Sequence, residues 1–243
     1  MPSEAGSGLS KSAVSRRFKA LTQARLEAWM ASDLSGLDLP VIRIDGLHMD
    51  DTLLMLGAVG VDADGRKHPL AVVEGATENA VTVQALLDNP VDRGLDPEVC
   101  RLFIVDGAKA LTKAIRRTFG ADIPIQRCQI HKARNITDRI DPKRHAAVRR
   151  ALRQAREMDD ADKAERLLRN LARRLELAAP GVAKSILEGL DEILTVIRLG
   201  LPPELQRSAG QHQHHRVDER VRRGGPSPGR PAFPSHSGRS AAT

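Results

Sequence analysis

The chain has no tyrosine, one tryptophan and four phenylalanines among its 243 residues. So few aromatic rings argue against a protein that binds single-stranded nucleic acid by stacking on its bases. Its two cysteines, Cys100 and Cys128, cannot build a disulfide framework, which fits the reducing cytoplasm. No run of about 18 apolar residues occurs, which excludes a membrane-spanning helix. Residues 1–10 are small and polar and lack the apolar stretch of a secretory signal. What the chain does hold is 41% hydrophobic residues, enough to bury a core, with 28% charged residues and a formal net charge of +7. These figures describe a soluble cytoplasmic protein of one large or two modest domains.

The positive charge is uneven. Residues 207–243 carry seven arginines against Asp218 and Glu219, so five of the seven net charges lie there. A basic chain invites a nucleic-acid partner through phosphate neutralisation. This segment, however, has neither a helical nor a strand period, and Pro226, Pro228, Pro231 and Pro234 stand among glycine, serine and arginine. It reads as a disordered tail, as does the Gly/Ser-rich start at 1–10.

Between these ends the pattern is regular. Residues 10–30 read as a helix with Val14, Phe18, Leu21, Leu26 and Trp29 on an apolar stripe. Strands follow at 41–45, 53–61 and 67–74, the last two joined by the hairpin turn Asp62-Ala63-Asp64-Gly65. A helix is expected at 77–89, a strand at 101–105, a helix at 108–119 and a strand at 123–126. A hairpin followed by βαβ crossovers gives an α/β fold with a mixed sheet and helices on its faces. From Gln129 onward the chain is helical, broken at Asp141-Pro142, restarted by Asp159 or Asp160, and ended by one helix after Pro180-Gly181 carrying Val182, Ile186, Leu190, Leu194 and Ile197.

Two carboxylates stand at strand ends. Asp45 and Asp106 each follow a β-branched run and each precede a glycine. In α/β sheets such positions line the functional crevice. An aspartate there serves either as a turn cap or as a hard-oxygen ligand to Mg²⁺, which is commonly held by one or two carboxylates plus substrate phosphates. Lys109, Lys113, Arg116 and Arg117 follow Asp106 on one helix. They are either phosphate contacts or a solvated basic face, and Lys132 and Arg134 carry the same two readings. His48 and His68 read as hydrogen-bonded surface or core histidines. Cys128 and His131 supply two ligands where structural zinc wants four, so they read as neighbours on one helix face.

Several motifs, in order, carry a resemblance: Ile-Asp-Gly-Leu-His (44–48), Gly-Val-Asp-Ala-Asp-Gly-Arg-Lys-His-Pro-Leu (60–70), Glu-Gly-Ala-Thr-Glu-Asn-Ala (74–80), Phe-Ile-Val-Asp-Gly-Ala-Lys-Ala-Leu (103–111) and Gln-Arg-Cys-Gln-Ile-His-Lys-Ala-Arg-Asn (126–135). From about residue 11 to 207 the chain resembles the Mutator-type insertion-sequence transposases of bacteria. The resemblance implies a ribonuclease-H-like core with an Asp, Asp, Glu triad and an α-helical insertion before the Glu. Asp45 matches the first aspartate and Asp106 the second, and Cys128 and His131 match a Cys-x-x-His signature that helps to shape the site. The implied chemistry is Mg²⁺-dependent (or Mn²⁺-dependent) cleavage of DNA at transposon inverted repeats. The freed 3′ hydroxyl then attacks target DNA, with no covalent enzyme intermediate, in a homo-oligomer. On this reading 1–40 is the remnant of an N-terminal DNA-binding region with Arg16 and Arg17, 41–135 the catalytic core, 136–205 the insertion and 206–243 the tail. Lys109, Lys132 and Arg134 are the further DNA-contact candidates.

The chain departs from the family pattern at the third carboxylate. The family Glu lies in a stretch like Asn-Thr-Asn-x-Ile-Glu soon after Leu-Pro-Pro-Glu-Leu. Here Leu-Pro-Pro-Glu-Leu (201–205) leads instead to Gln-His-Gln-His-His-Arg-Val-Asp-Glu (211–219). Read one base later, the codons for these residues can spell Asn-Thr-Asn-Ile-Ile-Glu-Ser-Met-Asn. The expectation is a frameshift near 208–210, a tail of out-of-frame residues including His212, His214 and His215, and a missing third carboxylate that leaves the chain inactive. Two other readings stand beside it. One is a non-catalytic fragment that binds DNA or intact transposase and interferes with it. The other is a related nuclease whose third carboxylate is internal, at Glu74, Glu78 or Glu165.

Overall fold

A computed structural model describes residues 11–48, 54–75 and 79–201. The expected disordered start, the tail with its histidines and Glu219, residues 202–205 and Glu78 lie outside the described residues, as do the side chains of Val14, Phe18 and His48.

Five strands form one mixed sheet in the order β3-β2-β1-β4-β5. β2 (Leu54–Val61) pairs antiparallel with both β1 (Val41–His48) and β3 (Lys67–Glu74), while β4 (Leu102–Val105) and then β5 (Ile125–Arg127) add in parallel on the other side of β1. The β2–β3 turn uses Gly65 at φ +81°. Asp62 Oδ1 there accepts from Arg66 N at 2.8 Å and Oδ2 lies 2.8 Å from His68 Nε2. His68 is thus a hydrogen-bonded histidine of the turn. Leu70 has no partner in the β2–β3 register, which steps from Ala58↔Ala71 to Val59↔Pro69. This bulge turns Leu70 and Ala71 both into the core. Pro69 is tolerated because β3 is an edge strand.

The sheet is covered on two faces, and β4 shows how. Its four residues are all buried, and alternate ones point to opposite sides. Phe103 and Val105 join Ile42, Ile44, Leu56 and Ala58 in a core beneath α2 (Ala80–Asp92) and α3 (Lys109–Phe119), whereas Leu102 and Ile104 join the second core. That second core is capped by α4 (Gln129–Thr137), α5 (Pro142–Arg156), α6 (Ala161–Leu175), α7 (Pro180–Glu188) and α8 (Leu190–Arg198). The helices expected after the sheet therefore share a core with its strands.

Most boundaries follow local chemistry. α5 starts at Pro142 with Asp141 accepting from Lys143 N at 2.8 Å, and α6 with Asp160 accepting from Lys163 N at 3.0 Å. Three expectations are corrected. α2 begins at Ala80 rather than Thr77, because Asn79 is the residue whose side chain accepts from the first turn, and it runs through Pro90 to Asp92. The single last helix is two, broken at Gly189. On α1 (Lys11–Met30) the stripe residues Leu21 and Leu26 are exposed, at 57% and 38%, as are all of residues 19–28, and Met30 is what meets the core. No helix among the described residues is long and apolar enough to cross a membrane.

Candidate functional site

The parallel register of β1 and β4 pairs Val41 with Leu102, Ile42 with Phe103 and Arg43 with Ile104. Two residues beyond this pairing stand Asp45, inside β1 rather than at its end as the sequence suggested, and Asp106, the first residue after β4; strand alternation puts Asp45 on the face of Val41 and Arg43. That face is the one toward α4, since Val41 and Ile104 belong to its core. Both side chains are half-buried. Asp45 Oδ1 accepts from Gly46 N at 3.0 Å, and Asp106 Oδ1 accepts from Ala108 N at 3.0 Å. Each carboxylate is thus fixed by the backbone that follows it.

The segment after β5 comes to the same place. Cys128 N donates to Val105 O at 2.6 Å, locking the start of α4 to the end of β4. Cys128 is fully buried and stands at the N-cap of α4. It belongs to the second core, beneath the helical layer. One turn on, His131 Nε2 lies 3.9 Å from Asp45 Oδ1, with both side chains 19% exposed. Arg43, two residues before Asp45 on the same face, is held below its ordinary pKa by burial.

The basic candidates divide. Lys109 Nζ pairs with Glu188 Oε1 at 2.6 Å, and this contact holds the Glu188 carboxyl below its ordinary pKa. Lys132 is buried and donates to Ser185 O at 2.7 Å and Ser185 Oγ at 2.9 Å, so its ammonium faces α7. Burial first, then the nearby Arg127 charge, pushes it down to about 8. Arg134 is exposed on α4. Arg16 and Arg17 are exposed near the start of α1, roughly 20 Å along the helix from its docking end at Met30.

Sequence reasoning missed Arg127 and Glu192. Arg127 Nε and Nη2 donate to Glu192 Oε2 at 3.0 and 2.7 Å, with both side chains almost buried. The guanidinium lies against two glycines. A Cβ on Gly107 would stand 2.5 Å from Arg127 Nε, and one on Gly189 2.7 Å from Nη1. Gly107 also has φ +98°, so glycine is required on both counts. Arg127 thus clasps the turn directly after Asp106 to the break between α7 and α8. The one sequence signal was the pair of glycines, since Arg127 and Glu192 are 65 residues apart.

Asp45, on the interior strand β1, and Asp106, directly after its neighbour β4, are hard oxygen donors of the kind that Mg²⁺ takes. Among the described residues no three His, Cys, Asp or Glu side chains gather in a metal-binding group. Glu74 is exposed on the edge strand β3, and Glu165 is paired with Arg169 at 2.7 Å and Arg198 at 3.1 Å.

Residues 3–236 match the sequence profile of a family described as "Transposase, Mutator family". The match runs across the segment where a frame change is expected. The chain is similar to the transposase for insertion sequence element IS6120 of Mycolicibacterium smegmatis, at 32% identity over 194 residues, covering 78% of this chain and 59% of that protein. It is also similar to the transposase for IS256 in transposon Tn4001 of Staphylococcus aureus (28% over 155 residues, 61% of this chain and 39% of that one). A third relative is the transposase for IS406 of Burkholderia multivorans, at 30% over 131 residues, or 53% and 32% of the two chains. The chain thus spans less than two thirds of the length of each of these relatives.

Proposed function

The chain belongs to the Mutator family of transposases, and from that premise we propose that its sheet is a DDE-type, ribonuclease-H-like core acting on DNA through Asp45 and Asp106. The observation that supports this reading is the parallel pairing of β1 with β4, since Asp45 in β1 and Asp106 directly after β4 each stand two residues past its last paired position, Arg43↔Ile104. Asp45 and Asp106 would hold Mg²⁺. When bound there, Mg²⁺ supplies charge to the phosphodiester oxygens and lowers the pKa of an attacking water or 3′ hydroxyl.

The chain's own residues do the positioning. The backbone donors Gly46 N and Ala108 N each hold one carboxylate oxygen, which leaves the two groups aimed without reorganisation. His131 stands beside Asp45, with Nε2 3.9 Å from Oδ1. Cys128, through its backbone N–H to Val105, keeps α4 and its histidine against the strand end. The Arg127 clasp fixes the turn that follows Asp106.

Among the described residues no third His, Cys, Asp or Glu side chain joins Asp45 and Asp106 in a metal-binding group, and on the codon reading the family Glu lies out of frame. The chain as it stands is then a transposase without turnover that retains DNA. The test compares it with a frame-restored chain on supercoiled DNA carrying the parent element. The restored chain should nick in a Mg²⁺-dependent way that Asp45→Asn or Asp106→Asn abolishes. The unrestored chain should be slower by about a hundredfold or more, the usual cost of losing a group that stabilises transition-state charge. Equal nicking by both chains would refute the missing-ligand part, and nicking that survives Asp106→Asn would refute the site.

A further inference from the structure

A second site lies on the helical layer. α4 and α5 enclose a groove of about 310 Å³ with Ile130 and Leu152 along it and four arginines around it: Arg134 from α4, and Arg149, Arg153 and Arg156 from α5. Among the described residues no acidic one lines it. α5 itself, Pro142–Arg156, reads PKRHAAVRRALRQAR, with six lysines and arginines and no aspartate or glutamate. Residues 149, 153 and 156 recur at helical spacing and so share one face.

Among the described residues Arg134, Arg149 and Arg153 have no ion-pair partner, and Arg156 has a loose one, Glu157 at 3.8 Å. The Arg156 side chain is 17% exposed, and its Nε is buried with no hydrogen-bond partner. A buried N–H without an acceptor costs free energy, and four like charges round one groove repel each other. An anion that accepts several N–H bonds relieves both. Guanidinium forks match phosphate oxygens in this way. The arginines of α5 run about 10 Å along the helix, the rise of roughly three successive phosphates of one DNA strand. The groove therefore fits a chain of phosphates better than a single small anion.

We infer that the α4–α5 groove binds the phosphodiester backbone of duplex DNA. The inference rests on the reading that this chain handles DNA, and it deepens that reading by locating a contact outside the aspartate pair. α4 joins the two places: His131 turns toward Asp45, and Arg134, three residues on, lines the groove. The groove is thus a track that holds DNA beside the site irrespective of its sequence.

The test is equilibrium binding of the full chain to a short duplex of unrelated sequence across a salt series, with a chelator present. Arg149→Ala/Arg153→Ala removes two exposed contacts. It should weaken binding roughly tenfold or more and flatten the slope of log K against log salt by about 1.8. Arg149→Lys/Arg153→Lys should restore most of the slope. Arg166→Ala/Arg174→Ala, the same charge change on exposed positions of α6, should leave both nearly unchanged. Thermal unfolding shows that each variant is folded. The inference is overturned if the α6 variant loses as much as the groove variant, if the groove variant binds like the parent, if the parent does not bind duplex, or if inorganic phosphate at matched ionic strength displaces the duplex. Because no metal takes part, failure of the aspartate pair leaves these outcomes untouched, and Asp45→Asn/Asp106→Asn should retain the salt slope.

Discussion

Lys132 shows what burial does to a single group. Its ammonium is enclosed between α4 and α7 with Ser185 as acceptor, and its pKa falls from the ordinary 10.5 to about 8. Between these values the folded chain binds fewer protons at this site than the unfolded chain does. Stability should therefore rise as pH increases from about 8 toward 10.5. Urea midpoints measured at both ends of that window should show the rise in the parent and not in Lys132→Met; an equal rise in both would mean that Lys132 is not the group. This role was not legible in the sequence, where Lys132 reads as a phosphate contact or a solvated cation, because its partner lies 53 residues away. Asp45 and Asp106 were legible for the opposite reason. A carboxylate that ends a β-branched run and precedes glycine marks itself locally. Arg127 and Glu192 again join across distance, and neither residue type nor spacing announces the pair.

At the scale of elements, strands and caps were readable because their signals are short-range. Phe103 and Val105 alternate with Leu102 and Ile104, and Asp141 and Asp160 cap the helices they precede. Two features defeated that logic. The helical period runs unbroken from Val182 to Ile197, so one glycine did not reveal the break at Gly189, which makes room for the Arg127 guanidinium. The stripe on α1 has the right period, yet its Leu21 and Leu26 stand exposed. The docking of α8 on β5 also depends on a polar residue that a pattern of apolar positions passes over. Gln126 is fully buried, with Nε2 donating to Ile193 O at 3.0 Å and Oε1 accepting from Val196 N at 3.0 Å. Gln126→Leu keeps the bulk and removes these bonds, so it should cost on the order of 2 kcal/mol in a urea denaturation series. A change near zero would show that the helix docks through its apolar face alone.

For the molecule as a whole, the sheet order brings together residues that the chain separates: β1 carries Asp45, β4 leads to Asp106, and β5 leads to the helix with His131. A carboxylate on β1 and another directly after its parallel neighbour β4 form the arrangement on which the DDE reading of this chain depends. The measurement that tests it most directly is Mn²⁺ binding to the full chain, followed by electron paramagnetic resonance, beside Asp45→Asn and Asp106→Asn. The parent should bind Mn²⁺ at a site that each substitution abolishes while thermal unfolding stays cooperative. Binding left unchanged by both substitutions would contradict the account, because the metal would then sit elsewhere and the paired aspartates would be turn caps.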